Sequence, residues 1–338
     1  MSAPIKTAEF SVTMRERGID VDAEKLRITN FSGSGQEKDF TEPSNCRGFG
    51  RVRHFRRQTS EGWPKNSLPI DPAASALGMD LQAETLNAQV FQNAVCNWRC
   101  WYCFVDFDLL SGSSQHSKML TPAELVAMYA EEDERPPMID LSGGQPDLVP
   151  EWAPWMIRAL EERGFGETVY LWSDDNLSND YFWRYLTAED RAILDSSPMY
   201  GKVCCFKGFD DHSFAFNTAA EPELFTQQLA LMGRLLSETE IDLYAYATFT
   251  SNTSEGLGAA LPDFVDRLQE LDVNLPLRTI PLEIGTFTPV VSRMNEDRER
   301  ALSIQQEAIA MWNDELRRRF SVRERSAPIC EVRLRIGR

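Results

Sequence analysis

The sequence predicts an α/β fold: an incomplete (β/α)6 barrel of parallel strands with an irregular N-terminal extension. Three observations predict it. From Gln82 onward, short β-branched and aromatic runs alternate with amphipathic helical runs, the pattern of parallel β/α units joined by crossovers. Six such units can be read, fewer than the eight of a closed barrel. Residues able to do chemistry recur where the strands end, the rim at which barrel sites gather. The implied division is 1–81 as the irregular extension, 82–293 as the partial barrel, and 294–338 as a C-terminal helix and tail.

The extension offers little regular pattern. Ser32-Gly33-Ser34-Gly35 reads as a hinge, and Pro64, Pro69 and Pro72 punctuate a loop-rich approach to the first strand. Arg47, Arg51, Arg53, His54, Arg56 and Arg57 form a basic island beside Cys46. Such a run is commonly a solvated or internally paired surface. The sharper reading is an arm that closes over the active site and grips an anionic substrate group through bidentate arginine contacts.

The barrel elements follow in order. Ala88–Gln92 is the first strand, and Thr121-Pro122-Ala123-Glu124 is a capping box with proline at the first helical position, opening a helix to about Glu132. Met138–Ser142 is a strand running into Gly143-Gly144-Gln145-Pro146, and Glu151–Arg163 is a helix. Thr168–Trp172 is the third strand, followed by a polar turn from Ser173 to Asn176 and a helical stretch over Asn179–Leu194. Lys202–Lys207, Leu243–Phe249 and Leu275–Leu282 are the remaining strands, separated by helices over Leu224–Leu236 and Leu261–Leu271. A last helix, Arg298–Phe320, ends in Arg317, Arg318 and Arg319, which complement the negative end of its dipole.

The totals narrow the function classes. The 338 residues can bury a sizeable core without disulfide staples. A net charge of −17 disfavours phosphate backbones, so a nucleic-acid partner is not expected. Met1–Phe10 lacks the apolar core of a secretory leader. No run approaches the ~20 apolar residues of a membrane span. Of seven cysteines, three are clustered and four scattered, unlike a secreted disulfide framework. The expected location is cytoplasmic.

The clustered cysteines lie in Phe91–Phe104, FQNAVCNWRCWYCF, which sets Cys96, Cys100 and Cys103 in a C-x3-C-x2-C array. Three thiolates on one loop suit an iron–sulfur cluster or zinc rather than a hard cation. They can hold three irons of a [4Fe-4S] cluster and leave the fourth open. With Tyr102 before the third cysteine, the stretch resembles the radical S-adenosylmethionine (SAM) superfamily. The resemblance implies that the open iron binds the amino and carboxylate groups of SAM. Reductive cleavage then releases a 5′-deoxyadenosyl radical that abstracts a substrate hydrogen. A low-potential donor such as ferredoxin or flavodoxin would supply the electron.

The same resemblance assigns cofactor-binding roles further along. Gly143, Gly144, Gln145 and Pro146 stand where the superfamily has Gly-Gly-Glu-Pro, a turn implied to hydrogen-bond the methionyl ammonium; Gln145 keeps an acceptor but loses charge assistance. Ser173 and Asp175 become candidates for ribose and methionyl contacts, and the Tyr102 backbone for the neighbourhood of the adenine. Alternation puts Val203, Cys205 and Lys207 on one strand face and Cys204 and Phe206 on the other; if that first face lines the barrel mouth, Lys207 can pair with the carboxylate of SAM. In layout the chain is most similar to activating enzymes that install a glycyl radical on a partner protein. It departs from them at Cys205 and Glu283, which replace an aspartate and a histidine. Cys205, Tyr246, Arg278 and Glu283 are the catalytic candidates. Tyr244, Tyr246, Thr248 and Thr250 share a face by the two-residue period, a polar lining, a radical relay or an ordinary core.

The expected function is thus a radical SAM enzyme, an oxidoreductase or an activase, acting on a partner protein or a small molecule. One alternative is a zinc-stabilised binding module without catalysis. A second is a tRNA-modifying member of the same superfamily, favoured only if Arg47–Arg57 forms a continuous basic track.

Overall fold

A computed structural model describes residues 3–335. Its strands, in chain order, are β1 (Ile19–Asp20), β2 (Lys25–Thr29), β3 (Gly50–Arg56), β4 (Thr85–Gln92), β5 (Ser117–Leu120), β6 (Met138–Ser142), β7 (Tyr170–Asp175), β8 (Tyr200–Phe206), β9 (Asp242–Ala247) and β10 (Thr279–Pro281). The first, second and fifth form a small antiparallel sheet. The others make one sheet in the order β10-β9-β8-β7-β6-β4-β3. Pairing from β4 through β10 is parallel throughout, and β3 runs antiparallel at the edge. The main sheet therefore has seven strands rather than six. The seventh comes from the basic island, where the charges of GRVRHFR hide its strand character.

The curled sheet separates two apolar layers. Side chains such as Ile139, Leu141, Leu171, Cys204, Phe206, Ala245 and Ala247 pack beneath the helices. Leu86, Ala88, Met138, Tyr170, Trp172, Val203, Cys205, Tyr244 and Tyr246 form the inner layer. This is the period-two alternation of a sheet covered on both faces, which keeps every residue of β8 buried. The amino ends of the strands are plugged from the same layer by Leu68, Ile70, Ala73 and Ile329. A segment over 57–69 spans the open side between the two edge strands. There Trp63 Nε1 donates to the Pro281 carbonyl at 3.3 Å, Thr59 Oγ1 to Glu283, and Asn66 Nδ2 to the Tyr246 hydroxyl at 3.1 Å.

Most element boundaries lie within a few residues of expectation, and three differ for physical reasons. Residues before Gly78 are more ordered than their composition predicts, with a helix over Thr7–Gly18 besides the strands. The third barrel strand runs on to Asp175, so the polar residues read as a turn belong to a strand whose far end is buried. The last strand shrinks to three residues, because Pro276 opens a 3-10 turn over Leu275–Arg278. The Thr121 capping box forms as expected. Among the described residues no helix is long and apolar enough to cross a membrane.

Candidate active site at the mouth of the half-barrel

The cysteine loop leaves the carboxyl end of β4 and is tied down at several points. Cys96 N donates to Leu110 O at 3.2 Å, Arg99 N to Thr218 O at 3.2 Å and Trp101 N to Asn217 O at 3.1 Å. Asn217 is the clip that sequence reasoning missed. Its side chain accepts from Trp101 Nε1 at 3.0 Å and donates to the carbonyls of Lys207 at 2.9 Å and Thr250 at 3.0 Å. It thereby joins the loop to the ends of two strands. Nothing in the local string FNT signals this, since every partner lies in another element of the fold. Arg293 donates to the carbonyls of Cys103 at 2.7 Å and Val105 at 3.0 Å, so even the segment before the last helix braces the loop.

Cys96, Cys100 and Cys103 are free thiols in an aromatic surround of Trp98, Trp101, Tyr102 and Phe104. Burial pushes the Cys100 and Cys103 thiols up to about 12 and about 11, although Lys207 pulls both down. Cys100 also feels the charge the other two would carry, and Cys103 that of Cys96. Such thiols stay protonated unless a metal takes them, because coordination ionises a thiol outright. Among the described residues no three His, Cys, Asp or Glu side chains stand close enough to share a single ion. The donor set, one cysteine buried and two half-buried, and its apolar surround fit a [4Fe-4S] cluster held by these three cysteines.

The Gly143-Gly144 turn packs on the root of this loop. Both glycines have positive φ, and a Cβ on Gly144 would lie 2.3 Å from the Val95 carbonyl oxygen. Gln145 N donates to Val95 O at 2.9 Å, and Asn93 Nδ2 returns a bond of 2.9 Å to Gln145 O. The Gln145 side chain is wholly buried. Its nitrogen donates to Asp175 Oδ1 at 2.9 Å and Ser178 Oγ at 3.1 Å, and its oxygen accepts from Asn176 N at 2.9 Å. The acceptor expected for a methionyl ammonium is thus engaged inside the protein. The bond to Asp175 also explains why glutamine stands here. A glutamate would set two carboxylates against each other, already beside the buried Lys202–Asp147 pair at 2.7 Å.

Ser173 and Asp175 lie on the helix side of β7, where Ser173 shares a hydrogen bond of 2.8 Å with Tyr200 and Asp175 holds Gln145. The residue between them, Asp174, points into the lumen and accepts from Ser142 Oγ at 2.7 Å. Extending the strand reversed which of these polar residues faces inward. Cys205 lies in the inner layer and Cys204 in the outer one, as alternation predicts. Lys207 is buried beside Cys100, Tyr102, Cys205 and Asp174, and its ammonium makes no hydrogen bond or ion pair among the described residues.

The basic island divides. Arg51 and Arg53 are in register with Val90 and Ala88, which turns them into the lumen. Arg47 pairs with Glu131 at the surface at 2.8 Å, and Arg57 with buried Asp71 at 2.5 Å. No continuous basic track results, so the condition set for a tRNA-modifying enzyme is not met. Nor is the island a mobile-looking arm; it is a strand of the main sheet.

The other candidates scatter. Arg278 lies at the opposite, plugged end of the barrel, donating to Val332 O at 2.7 Å and Cys330 O at 3.2 Å and pairing with Asp242. It is a structural clamp. Glu283 meets Thr59 of the spanning segment. The Tyr246 hydroxyl bonds Asn66 and, at 3.1 Å, Leu68 O, and the Tyr102 hydroxyl bonds Thr248 at 3.1 Å, so these phenols are satisfied core groups.

No protein-family model and no curated protein matches this chain. Among solved structures, Streptococcus suis SuiB bound to S-adenosylmethionine is similar over 54% of this chain and 37% of its own, at 16% identity and a TM-score of 0.38. SuiB bound to precursor peptide SuiA is similar over 53% and 36%, at 16% identity and a TM-score of 0.36. The chain spans little more than a third of the length of those proteins. At that level of similarity, the residues of this chain must carry its functional reading.

Proposed function

We propose that this protein is a radical SAM enzyme. The observation that carries the reading is the meeting, at one strand-end rim, of the Cys96, Cys100 and Cys103 loop with the buried, unpaired ammonium of Lys207. Cys96, Cys100 and Cys103 would hold a [4Fe-4S] cluster. When bound, that group supplies the electron that cleaves SAM reductively and so furnishes a 5′-deoxyadenosyl radical. The chain's own residues do the rest. Lys207 neutralises the carboxylate of SAM, and the Gly143–Gly144 backbone lines its methionyl end. Trp101 and Tyr102 exclude water from the loop, and Asn217 and Arg293 fix the loop's position. Substrate hydrogen abstraction takes place in the lumen below, with ferredoxin or flavodoxin as the expected reductant.

Anaerobic reconstitution with iron, sulfide and reductant tests this directly, with 5′-deoxyadenosine as the readout on adding SAM. Wild type is expected to release it, and Cys100→Ala to release none while still folding. Stoichiometric zinc in place of iron, or unchanged turnover in the variant, would sink the proposal and favour the zinc-stabilised module.

A further inference from the structure

The lumen contains titratable and charged groups that the cofactor reading leaves without hydrogen bonds. Asp140 on β6 is fully buried, and neither of its carboxylate oxygens has a hydrogen-bond partner. Its nearest cation is Arg53, at 3.6 Å, beyond the usual reach of an N–H···O bond. Arg51 is also buried, and its Nε–H is unsatisfied. Its guanidinium makes no hydrogen bond or ion pair among the described residues, lying instead 5.2 Å from the Phe40 ring and 5.6 Å from that of Phe104. A buried polar group without a partner costs on the order of 1–3 kcal/mol, and more when charged. Two such groups on the same wall are a deficit that folding alone does not explain.

Their positions and charges define what would relieve it. Arg51 is in register with Val90, and Val90 with Asp140, so the two face the lumen in one row across three strands. Phe104 follows Cys103, which sets this row beside the cysteine loop. The lumen cations Arg51, Arg53 and Lys207 outnumber the acids Asp140 and Asp174. A ligand must therefore bring an anionic acceptor for Arg51 and an N–H donor for Asp140, close to each other. An α-amino acid has both on one carbon. A plain carboxylic acid would leave Asp140 without a hydrogen bond, and a plain amine would leave Arg51 without one.

We propose that Arg51 and Asp140 bind the α-amino-acid head of the substrate, carboxylate on Arg51 and ammonium on Asp140. This substrate class rests on the radical SAM reading for its chemistry but not for its detection. SAM itself has an amino-acid head, and Lys207 with the Gly143–Gly144 turn is its assigned holder.

The test is direct binding to the full chain, reconstituted anaerobically, by saturation-transfer NMR and calorimetry. The probes are the proteinogenic L-amino acids taken singly, each beside the amine and the carboxylic acid that lack one of its two groups. One or more amino acids should bind wild type, with both truncated analogues weaker. Arg51→Met and Asp140→Asn should each lower that affinity at least about tenfold, the loss of one charge-assisted bond. Calorimetry with SAM should show its binding retained in both variants. The ligand-free thermal midpoint of Asp140→Asn should not fall, since the change removes a buried carboxyl that no group hydrogen-bonds. Absence of amino-acid binding to wild type would overturn the proposal. So would equal binding of the carboxylic acid, loss of SAM binding in step with the variants, or a lowered Asp140→Asn midpoint marking a structural counter-ion. If wild type binds an amino acid yet releases no 5′-deoxyadenosine, the site stands and the radical SAM reading fails.

Discussion

Two lumen side chains show how burial without a partner becomes a functional statement. Lys207 is buried with no carboxylate bonded to it. A SAM carboxylate would therefore meet a preorganised charge rather than displace an internal one. Lys207→Met should weaken SAM binding about 10- to 100-fold, the worth of one charge-assisted hydrogen bond, read by calorimetry on reconstituted protein. Asp140 makes a different prediction. Burial, then the neighbouring Asp174, raise its carboxyl from 3.8 to about 7, against the pull of Arg53 and Arg51. Between those two values the native state holds a proton that the unfolded chain has released. The contribution of this group to stability is thus complete below the lower value and is lost as pH rises through the upper one. Asp140→Asn removes that dependence, so its thermal midpoint relative to wild type should climb between about pH 5 and about pH 8. A gap that stays flat or narrows would contradict the environment described here.

Among elements, the turn after β6 and the end of β7 act as one unit through Gln145. Its three side-chain bonds tie the turn to the end of β7, and its backbone bonds with Val95 and Asn93 tie both to the root of the cysteine loop. Gln145→Ala leaves Asp175, Ser178 and the Asn176 amide short of partners, and the expected cost is about 2–4 kcal/mol from buried groups left unsatisfied. Gln145→Glu should also destabilise, through repulsion from Asp175, and should recover stability on acidification. Urea unfolding at two pH values checks both. Selective loss of SAM affinity with unchanged stability would instead restore the direct contact that the Gly-Gly-Glu-Pro resemblance implies. The cysteine spacing was legible in the sequence because a loop's donor set is local. The inward-facing member of Ser173, Asp174 and Asp175 was not legible, because it depended on where a strand stops.

For the whole molecule, the half-barrel is closed from outside its own strands. Trp63 reaches Pro281 on the open side, and Arg278 reaches Cys330 and Val332 at the plugged end. Arg278→Met should lower stability by about 2–4 kcal/mol, since it strands buried carbonyls and Asp242. SAM binding at the far rim should remain. A loss of SAM binding without a loss of stability would return Arg278 to the list of site residues. The two closures join segments more than two hundred and about fifty residues apart, so no window of sequence contains the signal for either.

Composition and spacing by themselves determined the α/β alternation, the lumen face of β8 and the three-cysteine loop, because period, propensity and donor spacing act over a few residues. Tertiary structure alone decided that a basic island would become an edge strand, that Arg51 would confront Asp140 without pairing to it, and that Gln145 would turn inward. Each of those outcomes depends on which groups lose water together, and burial is a property of the assembled chain rather than of any stretch within it.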